Sequence, residues 1–500
     1  MRAGWWLVAV AAVGCGRRGS LYDGALAPLP LVATSSALVQ IVPETRRAVI
    51  VTPGATTPSA VTIGADARVA ARVPGAEAVA ILSGSARSPR LELLELERRE
   101  VTSLELTATF DRLTFSPEGR FALMTADAQR TAGVAARNLN EAALLDVAAR
   151  AVTRVQLDVE GLAPRLVAFG PAEATRRLVA VALERGVAIF DATRPEVPAR
   201  RVSLQPPGST AEGTVEQLLF SRDARWLFLR ASGLDDVVVL ELGAETGRPV
   251  SASINFVAGG TGLVGLSLPP AAAGASVLAL FAGSAEVALL DARGVATDST
   301  RRLALPAGIR SMERLSERRM VLWGGQTAVV WDVLDGRSGV AALLAPSDRV
   351  LIVEPLERAL MSQQGAGAGA TVLTALSVSE EPNRLRVRAQ PIQLARAPSA
   401  VSASPDGSSV FLAVPTGIGA PAAAVVTIDV RTLALSEVLL DAPVADLHPL
   451  LAGGVVAAEH GGNPLGDVSL FPAGSTERLS VTRLSDFALT GDLDRPGDRP

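Results

Sequence analysis

Between Ala458 and Asp467 the chain reads "AEHGGNPLGD", which brings Glu459, His460 and Asp467 close together in sequence. An imidazole flanked by carboxylates can bind a divalent cation or pass a proton, but a metal site needs three or four ligands held in fixed geometry. One histidine and two carboxylates on a glycine-rich turn fall short of that, so the expected role is a solvated loop. The remaining inventory is thin: one further histidine, His448, and a single tyrosine, Tyr22. Cys15 is the only cysteine of 500 residues, and both histidines lie more than 430 positions from it. A nucleophilic thiol requires a neighbouring base, so no catalytic role is expected for Cys15. "GGTGLVG" spaces Gly260, Gly262 and Gly265 as in a dinucleotide-binding fingerprint. That fingerprint works because a helix N-terminus follows and meets the phosphates. Here "LSLPP" follows, and Pro269 with Pro270 precludes an extended helix, which makes the stretch a connecting loop. No catalytic residue, metal or cofactor is expected.

Whatever these residues do, short strands must position them. Hydrophobic residues make up 48% of the chain and aromatics only 4%, while 45 glycines and 32 prolines supply chain reversals. That balance suits many small apolar strands joined by turns. One pattern recurs from about Ala37 onward. In "QLLFSRDARWLFLRASGLDDVVVLELGAETGRPVSASINF", Gln217 to Phe256, four extended runs separated by turns fill ~40 residues. The first turn returns as "FSPEGRFALM" at Phe115 and "ASPDGSSVFLAV" at Ala403, where proline presets φ and glycine supplies a positive φ. The third run ends in an aspartate at Asp146, Asp191, Asp291, Asp332 and Asp429. Asp146 and Asp191 lie 45 residues apart, Asp291 and Asp332 41. These carboxylates could form a ring of ligands, but an aspartate recurring at a turn serves its own backbone. Trp226, Trp323 and Trp331 read as packing residues.

These repeats resemble the blades of YVTN, TolB-like and WD-repeat β-propeller families, over about 37–489. The resemblance implies an all-β fold: a single β-propeller of four-stranded blades. No blade carries the full Trp-Asp and Gly-His pair of WD repeats, and "VWDVLDG" at Val330 comes nearest. Full matches fall at 110–158, 165–204, 215–256, 264–305, 309–344, 348–394, 398–440 and 445–489, with two degenerate units at 37–73 and 74–108. The expectation is about eight blades, within seven to ten, since ten would be unusual for one ring. Asn138 to Val152 also carries a helical reading, with Leu144, Val147 and Ala148 on one face. Its alignment with "VAIFDATRPEV", where Pro195 stops a helix, favours strand. "ALVQIVP", Ala37 to Pro43, is expected to pair within or beside the last unit and close the ring.

The first fifteen residues, "MRAGWWLVAVAAVGC", place Arg2 before an apolar run and a small residue before Cys15. This is the layout of a secretion signal, and it is shorter than the ~20 apolar residues of a bilayer span. Ala12, Val13, Gly14 and Cys15 resemble the lipobox of bacterial lipoproteins, which implies cleavage before Cys15 and lipidation of its thiol. A chain with one thiol, consumed by lipid, has none left to mispair in an oxidising compartment. The expected layout is a signal at 1–14, a lipidated tether at 15–36, the propeller at 37–489 and a disordered polar tail at 490–500.

The formal charge is −4 and every basic side chain is an arginine, with no basic stripe to neutralise a phosphate backbone, so nucleic acid is not an expected partner. The resemblance extends to propeller lipoproteins that scaffold outer-membrane protein assembly. It implies a non-enzymatic binding or assembly scaffold of the cell envelope, held to a membrane by its lipid and meeting protein partners in the periplasm or at the cell surface. The alternative is a propeller hydrolase or quinone-dependent enzyme with channel-facing residues.

Overall fold

A computed structural model describes residues 26–488 apart from short internal stretches, the longest being 128–138. Cys15, Tyr22 and the tail at 490–500 lie outside the described residues. Strands dominate, and they form ten sheets of four strands, each sheet a simple meander in chain order. The sheets are blades 1 to 10, at 32–62, 69–105, 112–156, 164–202, 215–257, 263–304, 311–342, 347–394, 400–440 and 444–481. The first strands of successive blades touch around most of the ring, and that of blade 10 touches that of blade 1. The chain is therefore a ten-bladed β-propeller with its first strands innermost.

Eight blades were expected, and blades 3 to 10 are those eight units. The two degenerate units are complete blades as well, shifted a few residues upstream. Blade 1 lacked a signature because its first turn, Thr34 to Ser36, contains neither proline nor glycine. Blade 2 stabilises that turn instead. The Glu77 carboxylate accepts hydrogen bonds from Thr34 Oγ1 (2.9 Å), Ser35 N (3.1 Å), Ser36 N (3.2 Å) and Ser36 Oγ (2.5 Å). Burial alone would raise the Glu77 carboxyl, but the bonds from Ser36, Ser35 and Thr34 outweigh it and hold its pKa below the ordinary value. A depressed carboxylate contributes stability above its unfolded pKa and loses it as pH falls through the folded one. Melting curves of wild type and Glu77→Gln are therefore expected to differ at neutral pH and to converge as the pH falls below the ordinary glutamate range. A gap that stays constant down to pH 2 would contradict this.

The packing logic is the same throughout. Middle strands of a blade are buried on both faces, so they read as continuous apolar runs: Leu178–Leu183 is buried at all six positions. The helical reading of 138–152 yields to two strands, Glu141–Asp146 and Ala151–Gln156. Interblade cores alternate around the ring, as where Phe121, Leu123 and Leu144 of blade 3 meet Val179, Val181 and Phe190 of blade 4. Trp226, Trp323 and Trp331 sit in three such cores, as expected.

Closure differs from the expectation. Leu38–Val42 pairs inside blade 1, with strands on either side, and contributes no strand to blade 10. The ends meet by packing: Leu31, Leu38 and Val51 of the first blade bury against Leu450, Ala457, Val468, Leu470 and Leu484. Gln40 crosses the same seam, and Gly466 lets it, since a Cβ there would lie 2.5 Å from Gln40 Oε1. An edge covered by a neighbouring face needs no exchanged strand, because blade 1 already holds four of its own. Its inner strand, Val32–Ala33, and the buried Leu26 and Leu31 fall in the stretch read as tether, so the ring begins there and not at Ala37.

Candidate functional site

In a four-stranded meander, first strands begin on the same face of the ring as the turns between second and third strands. We call it the upper face. On it, five blades share an irregularity at the start of the inner strand, where the register skips one residue: Arg165, Glu216, Val264, Asp348 and Ala445 in blades 4, 5, 6, 8 and 10. A bulge of this kind re-aims a side chain out of the regular pleat. Arg165 and Glu216 lie in adjacent blades and carry opposite charge, and both are exposed.

They line one cleft of about 630 Å³ at the mouth of the central channel, together with Arg112, Asp127, Ala163, Pro164, Leu166, Glu184 and Val215. Arg112 is immobilised: Nε and Nη2 donate to Asp127 Oδ2 at 3.2 and 3.0 Å, and Nη1 donates to the Arg165 carbonyl at 3.0 Å. Glu216 pairs with Arg230. Nearby, the Gln217 amide replaces a missing ladder between inner strands, donating to Leu266 O (2.7 Å) and accepting from Leu266 N (2.9 Å). Further round, burial pushes the carboxyl of Glu313, on the inner strand of blade 7, above the ordinary value. The cleft thus spans three blades, with one ion pair inside blade 3, one inside blade 5, and the Arg112 hydrogen bond to the Arg165 carbonyl tying blade 3 to blade 4, which is geometry suited to holding a ligand.

The residues singled out from sequence fall elsewhere. Glu459 and His460 are consecutive on one strand and point to opposite faces. Glu459 meets His448 Nε2 at 3.0 Å, while His460 contacts Ala442 O (3.2 Å) and Ser469 Oγ (2.8 Å). Asp467 lies across the ladder from His460. The three do not converge, and among the described residues no group of three or more His, Cys, Asp or Glu could hold a metal ion. Instead of lying on a solvated loop, His460 is a buried strand residue that ties its blade to the connection from blade 9 and to the neighbouring strand. Ser469, which it touches, is likewise buried, at 2% exposure.

Gly260 and Gly262 lie in the connection between blades 5 and 6, and Gly265 lies in the strand Leu263–Ser267 that follows it. No helix N-terminus stands there to meet phosphate. The five aspartates serve turns, as expected. Asp146, Asp191, Asp291, Asp332 and Asp429 accept from the backbone N–H of Ala149, Thr193, Arg293, Leu334 and Thr432, at 2.7 to 3.0 Å. The Arg293 side chain first, and its backbone N–H besides, lower the Asp291 pKa; the Thr432 backbone N–H does the same for Asp429.

No protein-family model and no curated protein matches the chain. Among solved structures it is similar to a eukaryotic initiation factor at 12% identity and a TM-score of 0.46, over 92% of this chain and 96% of that one. The dihydro-heme d1 dehydrogenase NirN in complex with DHE gives 14% and 0.42, over 76% and 77%. The Dos1 propeller gives 11% and 0.38, over 68% and 91%.

Sequence reasoning missed Arg165, Glu184 and Glu216. Pro164, directly before Arg165, was the one local hint, because proline within a sheet is confined to edges, strand starts and bulges.

Proposed function

We propose that the chain is a lipid-anchored, non-enzymatic binding or assembly scaffold of the bacterial cell envelope. The observation that carries this reading is the lipobox-like Ala12 to Cys15 placed with only ten residues between it and Leu26, which is buried in the ring. Those ten residues, 16–25, span at most ~36 Å when fully extended. A lipid on Cys15 would therefore hold the ring close to the membrane surface, and one thiol bearing two acyl chains, with a third on the amino group, gives stable anchoring where a single chain does not. A ring closed on itself, with every blade packed on both sides, suits a rigid surface on which envelope proteins assemble.

Expression of the full chain in a bacterial host with labelled fatty acid tests this. Label is expected on the mature protein, cleaved before Cys15, and Cys15→Ala should carry none and remain uncleaved by the lipoprotein peptidase. An unlabelled wild-type protein, or cleavage at another bond, would refute the anchor.

A further inference from the structure

We propose that the cleft shared by blades 3, 4 and 5 binds a short zwitterionic peptide, Arg165 taking its terminal carboxylate and Glu184 its ammonium group. Two of the cleft's cation–anion sets are already satisfied, Arg112 with Asp127 and Glu216 with Arg230. Arg165 and Glu184 are not: among the described residues neither side chain has a partner, although the backbone sets them side by side. Pro164 pairs with Leu183, and the Glu184 N–H donates to the Ala163 carbonyl at 3.1 Å. Opposite charges so close along a strand pair would ordinarily join. The bulge at Arg165 turns its side chain away, and Arg112, bonded to the Arg165 carbonyl, holds the bulge in that shape.

The charge pattern selects the ligand. A simple anion would answer Arg165 but face Glu184, and a simple cation would meet the reverse. A molecule with one carboxylate and one ammonium satisfies both, with charge-assisted hydrogen bonds at each end. Beside the charges the cleft is lined by Ala163, Pro164 and Val215, all buried, and by Leu166, 38% exposed. Such a lining accepts small apolar side chains and offers no further ionic partner. A volume of about 630 Å³ lies in the middle of the range for ligand sites and exceeds what one amino acid fills, which favours a few linked residues. The paired side chains Arg112 and Glu216 need no reordering, so the ordering cost falls on Arg165 and Glu184. The inference is independent of the lipid anchor.

Calorimetric titration of the full chain, purified in detergent, with trialanine tests it. Trialanine should bind, while its N-acetylated form, its C-amidated form, and trialanine added to Arg165→Ala or Glu184→Ala should each bind about tenfold more weakly or worse. Both side chains are exposed and unpaired, so an unchanged melting temperature in each variant separates lost binding from lost folding. Arg310→Ala, on the same face but outside the cleft, should keep the wild-type affinity. Absence of binding at millimolar trialanine, equal binding of the blocked peptides, or full affinity in both cleft variants would each overturn the proposal.

Discussion

Truncation after Leu440 is expected to destroy the cooperative fold of the nine blades left behind, and not merely to subtract one. Blade 10 is sandwiched between two interfaces. On one side Val444, Leu447, Val456 and Phe471 bury against Phe411, Val425 and Leu440 of blade 9. On the other, Leu450 and Leu470 bury against Leu31, Leu38 and Val51 of blade 1. Removing the blade leaves six large apolar side chains of its neighbours facing water. At ~1.5 to 3 kcal/mol for each full burial, that loss is roughly 9 to 18 kcal/mol. A typical domain has only about 5 to 15 kcal/mol in total. The gap would also leave a broken ring whose two bare faces invite aggregation. An open array of repeats would lose only a local increment. Melting curves and size-exclusion chromatography of the truncated protein decide between them. A soluble monomer with an unchanged melting temperature would rule out closure as the source of stability.

Gly119→Ala should be the most damaging of the single methyl additions at first turns, at about 3 kcal/mol or more. Gly119 closes the Ser116 turn at φ +71°, a region that costs an L-residue ~1 to 3 kcal/mol. A Cβ there would also run into the Pro74 carbonyl oxygen of the preceding blade's turn, with the carbonyl carbon 2.8 Å away, and backbone cannot swing aside as a flexible side chain can. The equivalent position of blade 5 already carries an alanine, Ala224, at φ +54°. Its methyl has room on the side of blade 4, where even a Cβ added to Gly170 would stand 3.5 Å from it, an ordinary van der Waals contact. Urea titrations of Gly119→Ala and Ala224→Gly should show a large drop in midpoint for the first. For the second, relief of the left-handed strain opposes the lost methyl packing and added chain entropy, giving a change under ~1 kcal/mol. Similar shifts for both would show that interblade contact plays no part at Gly119.

The turn sequences explain how much of this was legible. "SPEG" at Ser116 and "SPDG" at Ser404 announce their geometry, because proline, aspartate and glycine each bias the backbone locally. Serine then caps the turn by accepting the N–H two residues beyond the glycine, Phe121 at 3.0 Å and Ser409 at 2.9 Å. The aspartates ending third strands were legible for the same reason, since their hydrogen bonds reach two or three residues. Blade 1 was not legible as a full blade: its first turn depends on Glu77, 41 to 43 positions away, and no local residue records that dependence.

The sequence by itself determined strands, turns, the four-strand period and the order of the units, since each rests on contacts between near neighbours. Blade number, closure and the cleft were decided by tertiary structure. Ten blades close where eight carry the signature because a ring closes when its two end faces match, and Leu38 against Leu450 is a match between residues more than 400 positions apart. Closure needs no borrowed strand because Val32–Ala33 completes blade 1 from within the stretch read as tether. The adjacent Glu459 and His460, expected on a solvated loop, lie on one strand and diverge, since consecutive strand residues point to opposite faces. Arg165, Glu184 and Glu216 carry no local signature and yet line one cleft, because neighbouring blades bring their strand ends to the same face of the ring and a bulge falls at Arg165 and at Glu216.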